Sequence, residues 1–131
     1  MKHLLVLMAG ALMQMACASG PAPVPLRGTT WVLADAGSGK APFLTLDPVQ
    51  QQLIGQAQCN RLMGQFTLAG DQIGFGQVAS TRRACIPDDG SEERFMQALG
   101  QVKRYRIERN ELLLFGDGST PLLRFKPGRS P

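Results

Sequence analysis

Short strand-forming segments, turn residues at close intervals and a single amphipathic helix predict an antiparallel α+β domain. Its form would be a curved sheet of seven or eight strands packed on one helix, a partial or cracked barrel. "LRGTTWVLA" (26–34) is rich in β-formers and ends at the turn "DAGSGK". "PFLTLD" (42–47) and "QQLIGQAQC" (51–59) follow, then "GQFTLAG" (64–70), where Gln65, Phe66, Thr67 and Leu68 alternate polar and apolar. Alternation at period two places one face of a strand in the core and the other in water. "DQIGFG" (71–76) and "QVAST" (77–81) are shorter. The helix falls at "DDGSEERFMQALGQ" (88–101), with Ser91 as the expected cap and Glu92 and Glu93 set against the positive end of the dipole. Phe95, Met96, Leu99 and Val102 form its apolar stripe. "VKRYRIE" (102–108), a turn at Arg109 and Asn110, "ELLLF" (111–115), a "GDGS" turn and "PLLRFK" (121–126) complete the meander. A sheet with one apolar face needs a cover, and this helix is the one available.

The chain of 131 residues holds one domain. Lys2 and the apolar run at 4–13 read as a secretory signal, too short to span a bilayer as a helix. Two cleavage sites compete. Met15, Ala16 and Cys17 resemble the end of a bacterial lipobox, although Gln14 stands where Leu is usual; Cys17 would then be lipidated and lead the mature chain. Ala16, Cys17 and Ala18 also form an A-x-A site, which would release a soluble periplasmic protein beginning at Ser19. The lipidated form is preferred, because "ASGPAPVP" after Cys17 has the composition of an extended tether over 18–25. With Ala18 next to the cysteine, the expected destination is the outer membrane, facing the periplasm. The folded domain is expected over 26–126 and a short tail over 127–131.

Removal of the signal takes with it His3, the chain's one histidine, and with it imidazole-based catalysis and histidine zinc sites. Cys59 and Cys85 remain as a pair, and in an oxidising compartment such a pair forms a disulfide. A redox couple is the alternative, but its usual spacing is much closer. Asn60 and Arg61 follow Cys59 at a strand boundary. Asn60 suits local backbone bonding. Arg61 would either brace the turn or anchor a carboxylate or phosphate ligand. Asp88, Asp89, Glu92 and Glu93 are explained by a helix start, so no metal site is assigned to them and no cofactor is expected. Gly74, Phe75 and Gly76 lack the βαβ setting of a dinucleotide loop. Trp31 is assigned to the core. Lys103, Arg104 and Arg106 beside Tyr105 form a candidate basic patch for an anionic headgroup or an acidic partner. Without Lys2 the chain keeps 13 of its 14 basic residues against 10 acidic ones, too mild an excess for a nucleic-acid binder.

"LRGTTWVL" (26–33), "CNRLMG" (59–64), "STRRAC" (80–85), "EERFMQAL" (92–99) and "YRIERNELLL" (105–114) together resemble the META domain of the HslJ-like family, over about a hundred residues in the same order. Gln58 and Arg83 depart from the small and apolar residues usual there. The resemblance implies a bacterial envelope protein, commonly a lipoprotein, associated with heat shock and antibiotic tolerance. It also implies a cracked-barrel fold, paired cysteines at positions 59 and 85, and no established enzymatic activity. The expected function is therefore non-enzymatic binding of an envelope protein or a small apolar ligand between sheet and helix. A closed-core structural domain is the alternative.

Overall fold

The computed structural model describes residues 20, 22–37, 39–86 and 88–129. The expected signal segment and Cys17 lie outside the described residues. Nine strands and one helix follow in order: β1 (Thr30–Leu33), β2 (Phe43–Leu46), β3 (Gln52–Gln56), β4 (Arg61–Ala69), β5 (Gln72–Phe75), β6 (Ala79–Ser80), α1 (Ser91–Gln101), β7 (Arg104–Glu108), β8 (Glu111–Phe115) and β9 (Leu123–Pro127). Every pairing is antiparallel, and the α+β assignment holds.

Eight strands close a ring, β1-β2-β3-β4-β5-β7-β8-β9, with β9 returning to β1 through Val32↔Lys126. The ninth, β6, is two residues long and shares the β4 edge with β5, so it adds a strand without enlarging the ring. The ring is not a regular barrel. β5 and β7 meet at one pair, Gln72↔Arg104, flanked by Tyr105 N–H to Asp71 O at 2.9 Å and Ile73 N–H to Lys103 O at 3.0 Å. Beyond that seam the strands diverge, because β4 and β5 turn back at Gly70 while α1 runs directly into β7.

α1 plugs the opening. Its buried residues are Phe95 and Leu99, continued past its end by Val102, with Met96 half-buried. Phe95 meets Phe125 edge to face at 6.3 Å between ring centres. The core is filled by inward residues of all the long strands, among them Trp31, Leu44, Leu53, Leu62, Phe66 and Leu114. Trp31 is fully enclosed and its indole N–H donates to Leu26 O at 2.9 Å. Among the described residues, all of the buried hydrophobic side chains lie between Leu26 and Phe125, with Val24 packed on them from just outside and β9 running on to Pro127.

Ser91 does not cap the helix. Gly90 occupies the N-cap in a left-handed conformation (φ 76°) with no side-chain cap, and Ser91 donates instead to Gln58 Oε1 at 2.8 Å. Asp88 and Asp89 accept from Gly90 N–H and Ser91 N–H, and these tight local turns delay the helix to Ser91. The β7–β8 turn falls at Arg109 and Asn110 as expected, both with positive φ (53° and 61°), the geometry that matches the twist of a two-residue hairpin. At the other end of the ring, Asp47 accepts from Val49 N–H and Gln50 N–H, and these bonds hold its carboxyl below the ordinary range. Arg27 straps the same loop by donating to Asp47 O and Gln50 O, with its guanidinium 5.1 Å from the Phe66 ring centre.

Gly55 is the tightest point of the β2–β3 pair. A Cβ there would run into the Phe43 carbonyl oxygen and lie 2.9 Å from Leu44 Cδ2. Gly55→Ala is expected to destabilise by about 1–3 kcal/mol, read as a lower urea midpoint with an unchanged slope. An unchanged midpoint would show that β2 and β3 separate more easily than this packing requires.

Candidate functional site

The sequence places Cys59, Asn60 and Arg61 in a row, and the three have separate roles. Cys59 and Cys85 are joined in a disulfide with a Cα–Cα distance of 5.9 Å. It ties the β3–β4 connection to the segment that enters α1. Asn60, 4% exposed, is the one buried polar residue among the described residues. Its Nδ2 donates to Glu92 Oε2 at 2.7 Å and to Arg83 O at 3.1 Å. Its Oδ1 accepts from Arg83 N–H at 2.8 Å and from Thr81 Oγ1 at 3.0 Å. The Asn60 backbone N–H donates to Glu92 Oε1 at 3.1 Å. The amide has two donors and one oxygen with two lone pairs, and all are used. Such saturation is what makes a buried amide tolerable.

This knot joins β4, the segment after β6 and the first turn of α1. Glu92 was legible in the sequence only as a complement to the helix dipole, and nothing local marks it as the acceptor for an amide 32 residues away. The sulfurs of Cys59 and Cys85 and a carboxylate oxygen of Glu92 lie within 4.8 Å of one another. With the sulfurs bonded to each other there is no thiolate to offer a metal, and both Glu92 oxygens already accept from Asn60.

Arg61 points away from the knot. Its backbone continues the β4–β6 pairing, with N–H to Thr81 Oγ1 at 3.0 Å and O accepting from Thr81 N–H at 3.1 Å. Its side chain is exposed and makes no hydrogen bond or ion pair among the described residues. The basic cluster on β7 is differently placed. Lys103 pairs with Asp117 at 2.6 Å and Arg106 with Glu108 at 3.3 Å. Arg104 donates to Gly116 O and Gly118 O, holding the β8–β9 turn. Arg104 and Arg106 both lie over the outward ring of Phe115, at 5.3 and 5.4 Å from its centre, so their cations cover an apolar side chain that the core does not take in.

A cleft of about 480 Å³ opens between α1 and the ends of β1 and β9. Leu33, Phe95, Ala98 and Leu123 supply apolar lining, Lys40 and Arg94 supply cations, and Asp35 and Asp89 supply carboxylates. Arg94 also donates to Asp89 O at 3.2 Å. The sequence reading did not single out Lys40 or Arg94. A second groove, of about 580 Å³ along the β5–β7 seam, includes the Lys103–Asp117 pair in its lining.

The ring with its helical plug, the Cys59–Cys85 link and the Asn60 centre coincide with a family match: the META domain model covers residues 24–128. The chain belongs to the META domain family. An NMR structure of a protein from Burkholderia xenovorans is similar to this META domain, with 26% sequence identity and a TM-score of 0.65, covering 85% of this chain and 93% of that one. No curated protein matches the chain significantly. The matched span begins at Val24, which packs against the core just ahead of β1, so the META domain takes in the last residues of the expected tether. Arg83, one of the departures from the usual pattern, turns its side chain to solvent while its backbone serves Asn60.

Proposed function

We propose that this META domain is a non-enzymatic envelope lipoprotein, anchored through Cys17 at the outer membrane, that supports stress or antibiotic tolerance by binding a small amphipathic ligand. The cleft between α1 and the sheet carries this reading. Its volume falls within the range of small-molecule sites, and it mixes apolar side chains with polar groups of both charges. Lys40 and Arg94 stand with Asp35 and Asp89 in the lining, so the cleft suits a ligand with an apolar body and a polar end. The META domain is not a known enzyme family. The side-chain amide of Asn60 is occupied by Glu92, Thr81 and Arg83.

The anionic dye anilinonaphthalene sulfonate serves as the probe. Saturable binding to the wild type is expected, with loss of at least tenfold in affinity on Ala98→Trp and an unchanged melting temperature, since residue 98 lines the cleft outside the core. Equal binding by both chains would remove the cleft as the site and leave the second reading, a closed-core domain that acts through its surface. The anchor is tested separately by the intact mass of the native protein from its envelope. A diacylated or triacylated start at Cys17 is expected, whereas an unmodified chain starting at Ser19 would make the protein soluble in the periplasm.

A further inference from the structure

The outer face of β1–β4 has an unusual composition. The six strands from β1 to β6 contain no Asp or Glu, and their one charged residue is Arg61. Side chains of period-two positions outside the ring include Ile54 and Met63, which are cross-strand partners and are 55% and 66% exposed. Arg61 stands two residues before Met63 on the same face of β4.

The segment after β6 extends this face. Thr81 meets Arg61 through the two bonds described above, one to its hydroxyl and one from its backbone N–H, and the Arg83 backbone is held by Asn60, the neighbour of Arg61. The backbone of Arg83 is therefore fixed near Arg61 by the knot, and Arg82 lies in the chain between it and Thr81. Ile86, 94% exposed, follows Cys85 and is held at the same edge by the disulfide. Among the described residues, the guanidinium groups of Arg61, Arg82 and Arg83 make no ion pair and no hydrogen bond. The acidic residues that come next are already engaged. Asp88 and Asp89 accept from backbone N–H groups, and Glu92 accepts from Asn60.

A rigid backbone thus presents three unpaired cations together with three exposed aliphatic side chains. We infer that this edge docks on the anionic phospholipid headgroups of a bilayer, with Arg61, Arg82 and Arg83 meeting phosphates and Ile86, Met63 and Ile54 entering the interfacial layer. Charge complementarity and the lack of Asp and Glu on β1 to β6 favour lipid. A protein partner would be recognised by a pocket or an aromatic anchor, and the exposed large apolar residues here are all aliphatic. The basic residues of β7 are not part of this edge, since Asp117 and Glu108 pair with Lys103 and Arg106. This docking is independent of ligand binding in the cleft.

The test uses the chain from Gly20 onward, which contains every described strand and the helix and lacks Cys17, so that no acyl anchor contributes. Its sedimentation with phosphatidylglycerol-containing vesicles is compared with that on pure phosphatidylcholine vesicles, at low and high salt. Binding to the anionic vesicles alone is expected, weakening as salt is raised. Each arginine near such a surface is worth about fivefold in partition, so Arg61→Gln, Arg82→Gln and Arg83→Gln combined are expected to lower it by about a hundredfold with the melting temperature retained. Ile86→Ser should weaken binding, and Lys103→Gln with Arg106→Gln should leave it nearly unchanged. Equal sedimentation on both vesicles, no sedimentation on either, or a greater loss from the β7 variant than from the triple variant overturns the proposal. The second of these would direct attention to an acidic protein surface instead.

Discussion

Asn60→Ala should lower the stability of this META domain by about 3 kcal/mol, and with it the melting temperature by about 15 °C. The alanine removes two donors and two acceptor positions at once, and it does so where Thr81, Arg83 and Glu92 have been arranged around a single amide. The backbone N–H of Arg83 loses its acceptor, and the Glu92 carboxylate loses the shorter of its two bonds from Asn60. Asn60→Asp provides a sharper version of the same test, since it keeps the shape and one acceptor oxygen but sets a carboxylate against that of Glu92. Two carboxylates at that distance raise each other's pKa in the folded state. The sign follows: the deficit is fully present above the folded pKa of the pair and narrows as acid protonates one member, so the two melting curves should converge on acidification. Thermal melts of wild type and both variants across pH provide the measurement. An Asn60→Ala chain melting within a few degrees of the wild type would mean that water replaces the amide at little cost.

Removing the disulfide by Cys59→Ser with Cys85→Ser should cost about 3 to 4 kcal/mol, from the entropy of a chain no longer closed over a separation of 26 residues. Reduction of the wild type should bring its melting temperature to that of the variant, while reduction of the variant should change nothing. The two effects are coupled. Asn60 adjoins Cys59 and lies 3.7 Å from Cys85 Sγ through Nδ2, so both devices hold the same approach of the segment 81–90 to β4. The triple variant should therefore lose less than the sum of the separate losses. Strict additivity would show that the disulfide and the amide stabilise different parts of the molecule. An unchanged melting temperature on reduction would contradict the role assigned to the link.

These two predictions also mark how far local pattern could reach. The strands were legible because their signal is local: alternation at Gln65 to Leu68 and the β-formers around Trp31 specify an extended chain and its buried face, whatever the partner strand is. The helix was legible through Phe95 and Leu99, but its cap was misassigned. Glu92 and Glu93 stand in the first turn as expected, but Gly90 rather than Ser91 takes the cap, after turns in which Asp88 and Asp89 accept from Gly90 N–H and Ser91 N–H. β6 shows the same limit from the other side. Two residues carry no periodicity, and Ala79 and Ser80 are a strand because β4 is long enough to leave an edge beside β5.

For the sites the division is similar. Residue types alone paired Cys59 with Cys85, because a pairing of two cysteines depends first on which ones are present. They also put Trp31 in the core and identified the family. Closure of the ring, the saturation of Asn60 by residues 21 to 32 positions away, the cleft beside Arg94 and the difference between the paired cations of β7 and the unpaired arginines near β4 came from the folded chain. A side chain's type sets which bonds it is able to make; which of them it makes depends on neighbours that are distant in sequence. Hydrophobic periodicity specifies the inward face of each segment, but it carries no record of which polar group will stand opposite another once the ring has closed.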